Sequence, residues 1–278
     1  PLDDGSTGTL RADIDAANSG DTIEFASTLA GQRIGLVQGD LFINKNLTIQ
    51  GLPNKPVIDG EGSARVFTIP TGFTVSLSNL AIIDGGGAST VMGSYGGGIL
   101  NEGTLTLSSC TVSGNTASGG IGGGIANFGT LTLTAGCTVT GNSASGSGGG
   151  VANLGGGLAR LTNCTISNNT ASSGGGIFNT FSTAALTNCT ISGNSATGDN
   201  PDAYSTGNGG GLLNGIVTHE SRMVGLIDLH AHLTGAKLDG WFFGLLDLAG
   251  APGGALFVFG VMSELEWVPS WQLPVLAI

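Results

Sequence analysis

The sequence predicts an all-β chain: a right-handed parallel β-helix, a solenoid of about 26 residues per coil, with an N-terminal capping helix. Three observations lead there. A block of three glycines, an apolar residue, any residue and an asparagine recurs at 96–101, 122–127, 148–153, 174–179 and 209–214, the first four copies 26 residues apart. Between the blocks a second phrase repeats, GTLTLSSCTVSGN at 103–115, with counterparts at 129–142, 157–169 and 182–194. Apolar and small polar residues alternate in it with period two, the signature of a strand with one buried face. Finally, Thr, Ser, Gly and β-branched residues dominate, no apolar period of 3.6 appears, and 52 glycines serve tight turns.

Taken in order, residues 1–22 form the expected cap. A helix is predicted over 10–18, with Thr9 as N-cap, Leu10, Ile14 and Ala17 on one face and Gly20 just past its end. The open end of a β-helix exposes strand edges and apolar core, which such a helix covers. Residues 23–214 form the solenoid. Its early coils are degraded copies at 41–51 and 75–85, with Leu47 and Leu80 where cysteines stand later, and further strands at 57–60 and 66–69.

Each regular coil offers three short strands: one at Ile99, Ile125, Val151, Ile177 or Leu212, one at the Leu-x-Leu segment, and one at Cys-x-Val/Ile. One coil is too small to bury a core, so coils stack and each strand pairs with its equivalent about 4.8 Å away. Right-handedness follows from the general preference of parallel crossovers. The fifth glycine block arrives 35 residues after the fourth, which places an inserted loop near 197–205. Residues 215–278 break the pattern with Leu, Trp, Phe and Pro, and read as an apolar C-terminal cap or a fused segment.

Net charge of −11 and a pI near 4.3 argue against nucleic acid and anionic membrane surfaces as partners. No membrane span is expected. The most apolar stretch, 241–262, contains Asp247, Pro252 and five glycines, and its uncharged part is shorter than the roughly 20 residues a spanning helix needs.

Candidate functional positions are few. Cys110 and Val112 face inward, so Thr111 and Ser113 face outward, and the same assignment gives Thr138/Thr140, Thr165/Ser167 and Thr190/Ser192. These eight side chains make a flat hydroxyl row over four coils, the candidate binding surface. Asn115, Asn142, Asn168 and Asn194 are expected to form an amide ladder at a turn. The four cysteines, Cys110, Cys137, Cys164 and Cys189, share one inward position, and stacked Cα atoms about 4.8 Å apart fall inside the range a disulfide spans. A reduced or sporadically bridged core ladder is expected, and metal binding is not, for want of a Cys-x-x-Cys pair.

Catalysis on polysaccharides needs clustered carboxylates or a base beside acidic ligands. Between residues 85 and 214 the only charged residues are Glu102, Arg160, Asp199 and Asp202. The remaining cluster is Asp59, Glu61, Arg65 and Asp84, read as turn carboxylates with a solvated arginine. No catalytic residue and no cofactor are expected.

The pairing of GGGI-x-N with a preceding SGN-x-A turn resembles the GGAI and FxxN motifs of polymorphic outer-membrane protein repeats, and GTLRADIDAANSGDTIEF at 8–25 is similar to the leader that precedes such β-helices. The likeness covers residues 5–214 and departs from the family in lacking the Phe of FxxN. It implies a bacterial surface or secreted protein. The Thr-x-Thr/Ser row resembles the ice-binding faces of β-helical antifreeze proteins. GLIDLHAHLTG at 225–235 looks like the first-strand metal motif of amidohydrolases, which implies His230 and His232 as a metal pair. The 46 residues after His232 hold no further histidine, so no hydrolase centre is expected there.

The expectation is therefore a non-catalytic surface or secreted module with a structural or adhesive role, extracellular or on the bacterial cell surface, with a polysaccharide or cell-surface glycan as partner. The alternatives are a carbohydrate-active enzyme, a lyase or glycosidase, and an ice-binding protein.

Overall fold

The computed structural model describes residues 8–86 and 95–197, with strand backbone at Leu2–Asp3, Leu212–Leu213, Ile216–Val217, Gly244–Asp247 and Leu256–Phe259. His230 and His232 lie outside the described residues. The chain divides into two compact units, Pro1–Ile227 and Asp228–Ile278. The first is the parallel solenoid. In the second, Gly244–Asp247 pairs antiparallel with Leu256–Phe259. Among the described residues no helix is long and apolar enough to cross a membrane.

Three long sheets run the length of the solenoid. The glycine-side sheet stacks Leu41–Phe42, Phe67–Ile69, Ile99–Asn101, Ile125–Asn127, Val151–Leu154, Ile177–Thr180 and Leu212–Leu213. The Leu-x-Leu sheet runs from Thr22–Glu24 through Thr104–Ser108 and Thr130–Thr134 to Thr183–Thr187 and Ile216–Val217. The cysteine-side sheet runs from Leu2–Asp3 through Arg33–Leu36, Val57–Asp59 and Ala81–Ile83 to Thr190–Ser192. Register is that of the sequence repeat: Ile99 pairs with Ile125, which pairs with Val151.

A fourth sheet was not legible in the sequence. Thr116–Ala117, Ser143–Ser147, Thr170–Ser173 and Ser195–Ala196 pair between the cysteine-side sheet and the glycine block. These strands of two to five residues, built of Ser, Thr, Gly and Ala, carry no apolar period, but Ala117, Ala144 and Ala171 are buried and form a small core of their own. The main core is built from columns such as Leu107, Leu133, Leu161 and Leu186, each in register with the next. Fully burying one such side chain contributes roughly 1.5–3 kcal/mol.

The glycine block is what lets the fourth sheet fit. Gly122 turns the chain with φ of +76°, a left-handed corner that a side chain would strain. The next two glycines serve close approach instead. A Cβ on Gly97 would sit 2.7 Å from the backbone of Thr116, and one on Gly98 2.7 Å from the Gly124 carbonyl oxygen.

The capping helix spans Leu10–Ala16, with Thr9 accepting a hydrogen bond from the Ala12 N–H. It ends before the expected residue 18 because Ala17 is already extended. Leu10 and Ile14 are buried against the first coils. Its last carbonyls are satisfied by Lys45, whose Nζ donates to Ile14 O, Asp15 O and Ala17 O at 2.9, 3.0 and 2.9 Å. A cation at the negative end of the helix dipole adds to these bonds. Lys45→Met is expected to loosen the cap by about 1–2 kcal/mol. Hydrogen exchange should speed up over Leu10–Ala16 and stay unchanged in Thr130–Thr134, because each coil of a solenoid couples only to its neighbours.

Candidate functional site

The cysteine-side sheet brings the eight predicted hydroxyls onto one face. Thr111/Ser113, Thr138/Thr140, Thr165/Ser167 and Thr190/Ser192 stand in register over four consecutive coils. The first six are half-buried and the last two exposed. Ser167 Oγ donates to Thr140 Oγ1 at 3.1 Å, and Lys55 Nζ reaches across a rung to donate to Thr111 Oγ1 at 2.9 Å. Above Thr111 the positions become Ala81 and Ile83, so the hydroxyl row begins where the regular repeat begins.

A second hydroxyl face adjoins it. On the Leu-x-Leu sheet, Thr74/Ser76/Ser78, Thr104/Thr106/Ser108 and Thr130/Thr132/Thr134 lie in register, three hydroxyls wide over three coils. Arg160 and then Ala185 take the central position on the following coils. The outward threonines of GTLTL carried this signal, since Leu105 and Leu107 are wholly buried and their neighbours must face out. The two sheets meet at corners where Asn79, Ser109, Ala135, Asn163 and Asn188 adopt φ of 51–55°. One left-handed residue turns the chain at four of these corners, and the pair Ala135–Gly136 at the fifth.

The amide ladder is corrected at one rung. Asn169, not Asn168, stacks with Asn115, Asn142 and Asn194: Asn115 Nδ2 donates to Asn142 Oδ1, Asn142 Nδ2 to Asn169 Oδ1 and Asn169 Nδ2 to Asn194 Oδ1, each at 2.9 Å. Asn168 instead takes the left-handed corner, φ 55°, where other coils have Gly114, Gly141 and Gly193. A second buried ladder, Asn101, Asn127, Asn153 and Asn179, closes the glycine-side strands with amide bonds of 2.6–2.7 Å. The asparagine ending each glycine block was its sequence trace.

The early-coil cluster is rearranged. Asp59 is fully buried and its carboxylate pairs with Arg33, which also approaches Asp84 at 3.6 Å and Glu61 at 3.9 Å. Arg65 does not join them, and it is not solvated. It lies 7% exposed, donating to Tyr95 O at 2.7 Å and to Thr68 Oγ1 at 3.0 Å, with Asp40 at 3.7 Å. Burial lowers its guanidinium from the ordinary value, opposed by the charges of Asp40 and Glu102. Arg33 and Asp40 escaped sequence reasoning because a coil of chain separates each from its partner. Each carboxylate of the Asp59 group thus faces an arginine.

The cysteines stack as inward neighbours, all four as free thiols. Burial pushes the Cys110 thiol up to about 12. Among the described residues no group of three or more His, Cys, Asp or Glu side chains is arranged to hold a metal ion.

Comparison with known proteins finds no relative: no family model, curated protein or solved structure matches this chain.

Proposed function

We propose that the chain is a non-catalytic module of a bacterial surface or secreted protein, in structural or adhesive service, with a polysaccharide or cell-surface glycan as its partner. The observation that carries this reading is the pair of adjoining hydroxyl faces held in register by the sheets. Hydroxyls repeat about 4.8 Å across the strands and roughly 6.6 Å along them. Each can donate and accept, as sugar hydroxyls do. Because backbone ladders fix the rows in advance, little freedom remains to be lost on binding. The likeness of the repeats to polymorphic outer-membrane proteins and the low pI favour an exported, surface-exposed setting.

The test is incubation with a panel of cell-wall and extracellular polysaccharides, scoring retention and newly released chain ends in the same samples. Retention without cleavage is expected. Thr138→Tyr, which raises a ring from the middle of the flat row, should lower retention at least about tenfold, some 1.4 kcal/mol, with circular dichroism unchanged. Chain-end release would instead place the protein among carbohydrate-active enzymes. Thermal hysteresis abolished by Thr138→Tyr, without glycan retention, would place it among ice-binding proteins.

A further inference from the structure

We propose that the cysteine column is a binding site for soft monovalent d10 cations, Cu(I) or Ag(I), each held in two-coordinate fashion between thiolates of neighbouring coils. The column is set by the sheet. Thr138 N–H donates to Cys110 O, Thr165 N–H to Cys137 O and Thr190 N–H to Cys164 O, each at 2.9 Å, so the four cysteines occupy one rung position on four consecutive coils. Their side chains enter the core. Cys110, Cys137 and Cys164 are at most 2% exposed, while Cys189 is half-buried. The Cys110 N–H approaches Cys137 Sγ at 3.4 Å, and the thiols of Cys137, Cys164 and Cys189 donate to Leu107 O, Thr162 O and Leu161 O at 3.2–3.3 Å.

The spacing selects the ligand class. Neighbouring strands lie about 4.8 Å apart. A metal–thiolate bond is about 2.3 Å, so a linear S–M–S unit measures about 4.6 Å and fits one rung without moving the coils. A disulfide needs Cβ atoms about 3.8 Å apart and would have to draw the coils together. Zinc needs four ligands around one point, which a single column cannot supply. Soft thiolates select Cu(I) among the biological metals.

Charge balances as well. An entering cation displaces one thiol proton, so the buried column gains no net charge. That removes the Born penalty that bars lone ions from a core. The half-buried Cys189 is the entry point.

The experiment is anaerobic titration of the reduced full chain with Ag(I), which has no redox chemistry here, read by native mass spectrometry and proton release. Four thiols leave three gaps, so up to three ions should bind, each releasing one proton. Cys164→Ser removes the two gaps on either side of that residue, and the count should fall to one. Cys164→Val, which fills the same core position, should give the same count with circular dichroism intact. No retained ion in the folded protein, or an unchanged count in both variants, would overturn the proposal. Binding that requires loss of the β signal would overturn it equally.

Discussion

Gly123→Ala is expected to break the solenoid at its centre, lowering stability by about 3 kcal/mol or more in urea unfolding. The added methyl would lie against Ser143 O and 2.5 Å from Gly149 O, both backbone atoms fixed in ladders of adjacent strands. Backbone so placed cannot rotate aside as a side chain could, and the only relief is to part the coils. Interior coils are the links of a one-dimensional stack, so damage there reaches both halves. Gly136→Ala is the control. Gly136 has φ of +78° but nothing within 4 Å of the added methyl, so only local backbone strain is incurred, about 1 kcal/mol. Equal effects from the two variants would mean that conformation, not close approach, explains the glycine block.

Asn142→Ala should cost about 3 kcal/mol, whereas Asn168→Gly should stay within about 0.5 kcal/mol, both measured by thermal and urea denaturation. Asn142 is 1% exposed. Its Oδ1 accepts from Asn115 N–H at 3.0 Å and Asn115 Nδ2 at 2.9 Å, and its Nδ2 donates to Val112 O at 3.0 Å and Asn169 Oδ1 at 2.9 Å. Alanine would strip partners from several buried groups at once, each worth about 1–3 kcal/mol when left unpaired. Asn169→Ala should behave like Asn142→Ala. Asn168 is exposed and holds a corner that glycine holds on neighbouring coils, so glycine relieves as much strain as it adds freedom to the unfolded chain. A large loss at Asn168 and a small one at Asn169 would put Asn168 back in the ladder.

Placing Asn168 in the ladder was a one-residue slip in reading the sequence. The stacking asparagine follows the cysteine by five residues on every coil, at 115, 142, 169 and 194, so SNN already pointed to Asn169. The turn supplies the reason, since one residue takes φ near 55° and the next faces the core. The charges are where sequence reasoning ends. Asp59 and Asp84 were legible as a group, but the arginine that joins them is Arg33, while Arg65 is drawn away by Asp40 and by carbonyls across the solenoid. Ion pairs form between whichever coils the stack superposes, and no local period records that. The Thr116–Ala117 strand was hidden for a related reason, since two residues are too few to show a period.

The sequence by itself determined the parallel solenoid, its 26-residue register, the inward leucine and cysteine columns and the outward hydroxyl row, because each follows from alternation along a strand and repetition between strands. Only the tertiary structure decided the corners, the fourth sheet and the pairing of the buried charges. Those rest on atoms brought together across coils, where the approach of one backbone to another leaves room for a single arrangement.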